Sequence, residues 1–169
     1  MIVNAIIKKL RWHKTFLYQN MNTPKDTFLF SWNPLKFPWP ELAEECKRVR
    51  KGKKVEDSWT CASHKKVKPG DRAFFSIVGV KQRGIFASGY VSSEPFIGKN
   101  RKGNDAYRVN VIFDTLLDPY HEPILTLDIL AIGRMEKQLW TPQASGITIK
   151  PELLEELEAV WEDFLSTRG

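Results

Sequence analysis

Arg72-Ala73-Phe74-Phe75-Ser76-Ile77-Val78-Gly79 and Arg83-Gly84-Ile85-Phe86-Ala87-Ser88-Gly89-Tyr90-Val91 are two apolar, β-favouring runs separated only by Val80, Lys81 and Gln82. Two such runs with a short glycine- and lysine-containing connection predict a β-hairpin. Pro69-Gly70-Asp71 marks the turn that opens it, with Asp71 as the turn's stabiliser. Four glycines fall between positions 70 and 89. Each weakens a strand by about 0.5–1 kcal/mol relative to alanine. That loss is tolerable where strands bend sharply or backbones approach closely, as in a small barrel.

Working outward, Thr27 to Trp32 is an aromatic strand that stops at Asn33-Pro34, because the proline holds Asn33 extended and cannot donate into a ladder. Glu56 to Cys61 reads as extended. Tyr107, Val109, Val111 and Phe113 alternate with Arg108, Asn110 and Asp114, the period of a half-buried strand. Ile147 to Ile149 is a further short strand, and Ile124 to Ile132 is apolar with its type open. Glu94 to Asp105 reads as a polar, basic loop interrupted by Phe96 and Ile97. Pro40 to Lys51 predicts a helix with Leu42, Cys46 and Val49 inward. From Pro151 a second helix places Leu153, Leu154, Leu157, Val160, Trp161 and Phe164 on one stripe, with Glu152, Glu155, Glu156, Glu158 and Glu162 on the wet side. Met1 to Leu10 is a strand or a helix, and Tyr18 to Lys25 a loop. The sum is an α+β chain: a twisted, mostly antiparallel β-barrel of five to seven strands with flanking helices, one domain over residues 1–169.

Composition narrows the function classes. The chain has 169 residues, 42% hydrophobic and 27% charged, with a formal net charge of +6. No run approaches the roughly 20 apolar residues that span a bilayer. Lys8, Lys9 and Arg11 cut short the apolar start, so neither membrane nor export is expected. The expected location is cytoplasmic, or nuclear in a eukaryote. Cys46 and Cys61 then read as reduced thiols, and the scattered His13, His64 and His121 make no zinc spacing. Cys61 and His64 form a conceivable nucleophilic pair, but no oxyanion-hole glycine motif or orienting acid accompanies them. Phosphate-binding glycine loops and metalloprotease signatures are absent. The expectation is a binding protein with no catalytic residues, cofactor or metal. From Lys47 to Lys54 six of eight residues are basic, and the excess continues through Arg108, whereas positions 152–163 hold six acids and no base. Such concentration points to a polyanion partner, although the 47–54 run alone also suits a solvated surface.

Three separated segments carry aromatic and amide groups: Phe28–Pro34, Ser58–Cys61 and Trp140–Gln143. Indole faces beside amide edges suit a flat heterocycle. Trp32 and Trp59 are the candidate stacking walls, with Trp140 at the rim. Asn33, and Gln143 after it, can donate and accept at a base edge. Ser31 and Ser58 are candidates for positioning the base or a water. Lys65, Arg83, Lys99 and Arg101 are candidate phosphate contacts, which position a nucleic acid without reading it. Each has a plainer reading beside this one: the tryptophans as core, Asn33 as the cap of its own turn. Trp12 and Trp39 read as structural.

Taken in order, these segments resemble the EVE-like branch of the PUA-like superfamily, which includes EVE, YTH and ASCH domains. Phe28–Pro34 is similar to that branch's first strand, and Ser58-Trp59-Thr60-Cys61 to the YTH strand whose tryptophan walls a modified-base cage. Lys68–Ser76 with Arg83–Gly89 is similar to the shared hairpin, Tyr107–Asp114 to the next strand, and Ser145–Ile149 with its helix to the closing segment. Phe96 is the aromatic in the loop where YTH domains place a second cage tryptophan, which leaves Trp32 as the opposing wall. The resemblance implies a non-catalytic reader that binds DNA and flips a modified cytosine, 5-methylcytosine or 5-hydroxymethylcytosine, into an aromatic pocket. The alternative is an RNA-binding module that reads N6-methyladenosine or shape only. DNA is favoured over RNA as partner, and branch members imply a separately encoded nuclease or ATPase beside it.

Overall fold

The computed structural model describes residues 26–168; the expectations for Met1 to Leu10, Trp12 and Tyr18 to Lys25 lie outside them. Eight strands form one curled sheet: β1 (Thr27–Trp32), β2 (Glu56–Thr60), β3 (Arg72–Ile77), β4 (Gly84–Val91), β5 (Phe96–Lys99), β6 (Asp105–Leu116), β7 (Leu125–Thr126) and β8 (Ile147–Thr148). Helices α1 (Leu42–Arg50), α2 (Leu127–Leu130) and α3 (Leu154–Ser166) flank it. Six strands run in the order β2-β6-β4-β3-β1-β8, with β5 added to β6 and β7 to β4. Every pairing is antiparallel except β1 with β3. The expected twisted, mostly antiparallel sheet with flanking helices is borne out, with six core strands curled into a half-barrel rather than a closed barrel, and the β3–β4 hairpin lies at its centre.

The hairpin is bent on purpose. Its register breaks between Phe75 and Ser76, leaving Phe86 outside the pairing between Ile85 and Ala87. Such an extra residue bends a strand and re-aims a side chain. Here the Phe86 ring comes within 5.5 Å of Trp32 on the concave side. A second break falls between Ser88 and Gly89. A Cβ at Gly89 would sit 2.1 Å from the Ile112 carbonyl oxygen, so the strands meet this closely only over glycine.

The concave face is aromatic because alternate residues of several strands point into it. Phe30 stacks on Phe75 at 5.3 Å, Phe75 meets Phe113 at 4.9 Å, and Trp59 meets Phe75 at 4.9 Å. Each such side chain contributes roughly 1.5–3 kcal/mol on burial. The curl is tied shut across its seam. Ala62 and Ser63 donate their N–H groups to the Ser145 and Gly146 carbonyls at 2.9 and 3.0 Å, and Gly146 N–H donates to Leu29 at 2.9 Å.

On the convex side α3, entered through the turn Pro151–Leu153, covers β3 and β4. Trp161 Nε1 donates to Ser88 Oγ at 3.0 Å, and Ser88 donates to Asp114 Oδ1 at 2.5 Å. Arg72 donates to Asp114 Oδ2 at 2.8 Å and to Glu158 Oε1 at 2.7 Å. Burial opposes the Arg72 charge, but the two carboxylates outweigh it and hold the guanidinium protonated far above its ordinary range. Glu158, expected on the wet side of the helix, therefore turns inward, because Arg72 on the sheet needs a counter-charge.

Two other expectations change. The Glu94–Asp105 loop contains β5, whose four residues are too few to show a period. The apolar stretch from Ile124 divides into β7 and α2. No helix among the described residues is long and apolar enough to cross a membrane.

Candidate base-binding pocket

At the seam of the half-barrel lies a pocket of about 610 Å³. Its walls come from the end of β1, the segment running from Phe37 into α1, Asp57–Thr60 of β2, Arg108 of β6, and residues 143–145. Small-ligand sites span about 300–1,000 Å³, so a nucleoside-sized guest fits.

The Asn33-Pro34 stop builds the first wall. Asn33 Oδ1 accepts the Leu35 N–H at 3.1 Å, and its carbonyl accepts the N–H groups of Lys36 and Phe37. This turn brings the chain back, and Trp32 Nε1 donates to the Phe37 carbonyl at 2.7 Å. A Cβ on Gly79 (φ +74°) would lie 2.3 Å from Asn33 Nδ2, so the turn is seated against glycine.

Three indoles meet behind the opening. Trp39 lies 5.5 Å from Trp32 at 90° and 5.8 Å from Trp59 at 65°. Trp32 is 4% exposed and Trp59 9%, whereas Trp39 is half-buried. Trp39 Nε1 donates to Glu45 Oε2 at 2.9 Å. Trp59 Nε1 is buried and has no hydrogen-bond partner. A buried donor left unmade is disfavoured by about 1–3 kcal/mol.

The polar lining is acidic. Glu41, Glu45 and Asp57 face the pocket against the single guanidinium of Arg108. Burial pushes the Glu45 carboxyl above its ordinary range; the Trp39 hydrogen bond and Arg48 oppose this, while Asp57 and Glu41 reinforce it. Asp57 reaches water at the mouth but is flanked by protein. Desolvation raises its carboxyl too, with the Ser58 N–H and Arg108 opposing and Glu41 adding. Asp57 Oδ1 accepts that N–H at 2.7 Å. Arg108 is pinned along β2, donating to Ser58 Oγ at 2.7 Å, the Ser58 carbonyl at 2.6 Å and Thr60 Oγ1 at 3.2 Å. Gly98 makes room, since a Cβ there would lie 2.6 Å from Arg108 Cδ. The three carboxylates do not form a cluster able to hold a metal ion; no such cluster occurs among the described residues.

Trp32, Trp59, Ser58 and Gln143 thus meet at one pocket. Ser31 does not line it, and its N–H donates to Ser145 Oγ at 3.1 Å. Asn33 is engaged in its own turn. Trp140 is buried elsewhere, with Nε1 donating to the Met135 carbonyl at 2.8 Å. Of the candidate phosphate contacts, Arg101 approaches the mouth, its guanidinium 5.2 Å from the centre of the Phe37 ring. Lys99 pairs with Asp105 at 2.5 Å. Lys65 is exposed beyond β2, and Arg83 is exposed at the start of β4. Trp39, Glu41, Glu45, Asp57 and Arg108 escaped sequence reasoning. A signal existed: Asp57 shares a strand face with Trp59 two residues on, and Glu41 lies four residues before Glu45.

Cys61 and His64 do not form a nucleophilic pair. The Cys61 thiol is buried, its sulfur 3.8 Å from the Gly146 carbonyl oxygen, and burial pushes its pKa up to about 11. His64 instead stacks on Tyr107 at 3.7 Å and 8°.

No protein-family model matches the sequence, and no curated protein matches it. Solved structures do. The chain is similar to a hypothetical protein from Leishmania major, with a TM-score of 0.61 and 16% identity over 84% of this chain and 98% of that one. It is also similar to a protein from Pseudomonas syringae (TM-score 0.54, 13% identity) and one from Pseudomonas putida (TM-score 0.51, 13% identity), each over 79% of this chain and 98% of the other. At such identities the likeness establishes the fold alone: a curled, mostly antiparallel sheet with flanking helices.

Proposed function

We propose that the protein is an EVE-like reader that flips one modified base out of a nucleic acid and holds it without chemistry. DNA is the favoured partner, with 5-methylcytosine or 5-hydroxymethylcytosine as the base. One observation carries the reading: a pocket of nucleoside size is lined by three tryptophans and by carboxylates, and one of the tryptophans, Trp59, has a buried N–H with no partner. Cytosine has a carbonyl oxygen to accept that N–H and an exocyclic amino group to donate to a carboxylate. Unstacking a base costs a few kcal/mol, and stacking on aromatic side chains returns roughly 1–3 kcal/mol per base. A buried C5 methyl adds only about 0.8 kcal/mol, so shape or a polar contact must supply the rest of any discrimination. Arg101 at the mouth, with Lys65, Lys99 and Arg83 further out, would hold the backbone. A separately encoded nuclease or ATPase would supply any cleavage.

A second reading has its own support. His64 and Tyr107 make a stacked aromatic pair on the surface next to exposed Lys65 and Lys66, a platform suited to single-stranded RNA without a cage. Matched DNA duplexes and RNA strands carrying cytosine, 5-methylcytosine, 5-hydroxymethylcytosine, adenine or N6-methyladenine separate the two at fixed salt. Tighter binding of a modified cytosine in DNA supports the base reader. Equal binding across modifications, lost on substituting Tyr107 by alanine, supports the platform.

A further inference from the structure

We propose, resting on the base-reading function above, that the same pocket takes a base that is cationic at neutral pH, cytosine methylated at N3 or adenine methylated at N1, and holds it more tightly than 5-methylcytosine. The chain is basic overall, yet the pocket it presents carries three carboxylates and one guanidinium. That guanidinium already donates to two Ser58 oxygens and Thr60. A neutral base explains one carboxylate, as acceptor for an amino group. It leaves the others unanswered at the same pocket, where desolvation, reinforced by neighbouring carboxylates, disfavours the ionisation of Glu45 and Asp57. A cation on the guest relieves both.

The walls point the same way. Trp32, Trp39 and Trp59 line the pocket, with Trp39 the most open of the three, and indole is the strongest aromatic partner for a cation. Glu45 is tied to the edge of Trp39 through Nε1, so one negative charge is fixed beside one aromatic wall. N3-methylcytosine keeps the carbonyl oxygen for the unpartnered Trp59 N–H and the amino group for a carboxylate. Methylation at N3 or N1 also blocks the Watson–Crick edge. Such a base is already unpaired, and extraction costs least for a damaged or mismatched base.

The test uses the full chain and short strands with one central cytosine, 5-methylcytosine or 3-methylcytosine at fixed salt, read by fluorescence anisotropy. The expected result is at least tenfold tighter binding of the 3-methylcytosine strand than of the 5-methylcytosine strand. In the Glu45→Gln/Asp57→Asn variant this ratio falls toward one. Free 3-methylcytidine, which has no phosphate, should quench tryptophan emission of the unaltered protein at lower concentration than free 5-methylcytidine, a check independent of the variant's folding. If 5-methylcytosine exceeds cytosine but 3-methylcytosine does not exceed 5-methylcytosine, charge selection is overturned while base reading stands. A ratio that survives removal of both carboxylates also overturns it. If no modification changes binding and neither nucleoside quenches, base reading itself fails, and this proposal with it.

Discussion

Replacing Trp39 with alanine separates guest binding from folding better than any change at Trp32 or Trp59. Those two are almost fully buried, and truncating a buried tryptophan costs about 3–5 kcal/mol of stability. Trp39 is half-buried, so its truncation should cost about 2 kcal/mol, a melting-temperature drop of about 4–8 °C for a chain of this size. In binding, the variant loses a wall that contacts both other indoles. It also loses the donor that holds Glu45 in place. Loss of one base-stacking partner weakens binding by about 1–3 kcal/mol, roughly 5- to 150-fold. Anisotropy titrations with modified and unmodified duplexes, below the variant's melting transition, should show this loss for the modified strand only. Unmodified binding, carried by backbone contacts, should change little. A variant that folds and keeps its full preference for the modified strand would refute the pocket as the reading site.

Three further outcomes follow from the same geometry. Glu45→Gln should raise the melting temperature at pH 7. The folded carboxyl titrates above its ordinary range, so its contribution is favourable when protonated and is lost as pH rises through the folded value. The gain should therefore shrink on acidification below about pH 4.5, the ordinary value; an equal gain at both pH values would contradict this. Glu41, Asp57 and Arg48 face the same carboxyl, so the comparison must keep them intact. Arg72→Met should lower stability by about 3–5 kcal/mol in a denaturant titration, because Asp114 and Glu158 are left without their cation. Cys46 and Cys61, with thiol pKa values pushed up by burial to about 12 and about 11, should resist a thiol reagent at pH 8 in the native protein. Labelling should then require unfolding.

The hairpin was legible in the sequence because each half is an unbroken apolar run and the glycines mark where the strands bend. The closing helix was legible because its stripe repeats over several turns. What local pattern could not disclose was pairing between distant segments. The parallel contact of β1 with β3, the seam bonds at Ser145 and Gly146, and the inward turn of Glu158 each depend on a partner far along the chain. The same limit applies at the pocket. Trp32 and Trp59 stand out by residue type, whereas Glu41, Glu45 and Asp57 look like ordinary surface acids until β2 and α1 are brought together. Trp39 reads as structural for the same reason: its neighbours, Trp32 and Glu45 apart, lie elsewhere in sequence. Asn33 shows the converse, since a motif that suggested a base edge is consumed by its own turn.

The most direct test of base reading is the structure of the protein bound to a short duplex with a single 5-methylcytosine. The account predicts that base out of the stack, lying against Trp39 in the pocket, its carbonyl oxygen accepting from Trp59 Nε1 and its amino group donating to a carboxylate. A bound duplex with the methylated base still stacked and paired would contradict it.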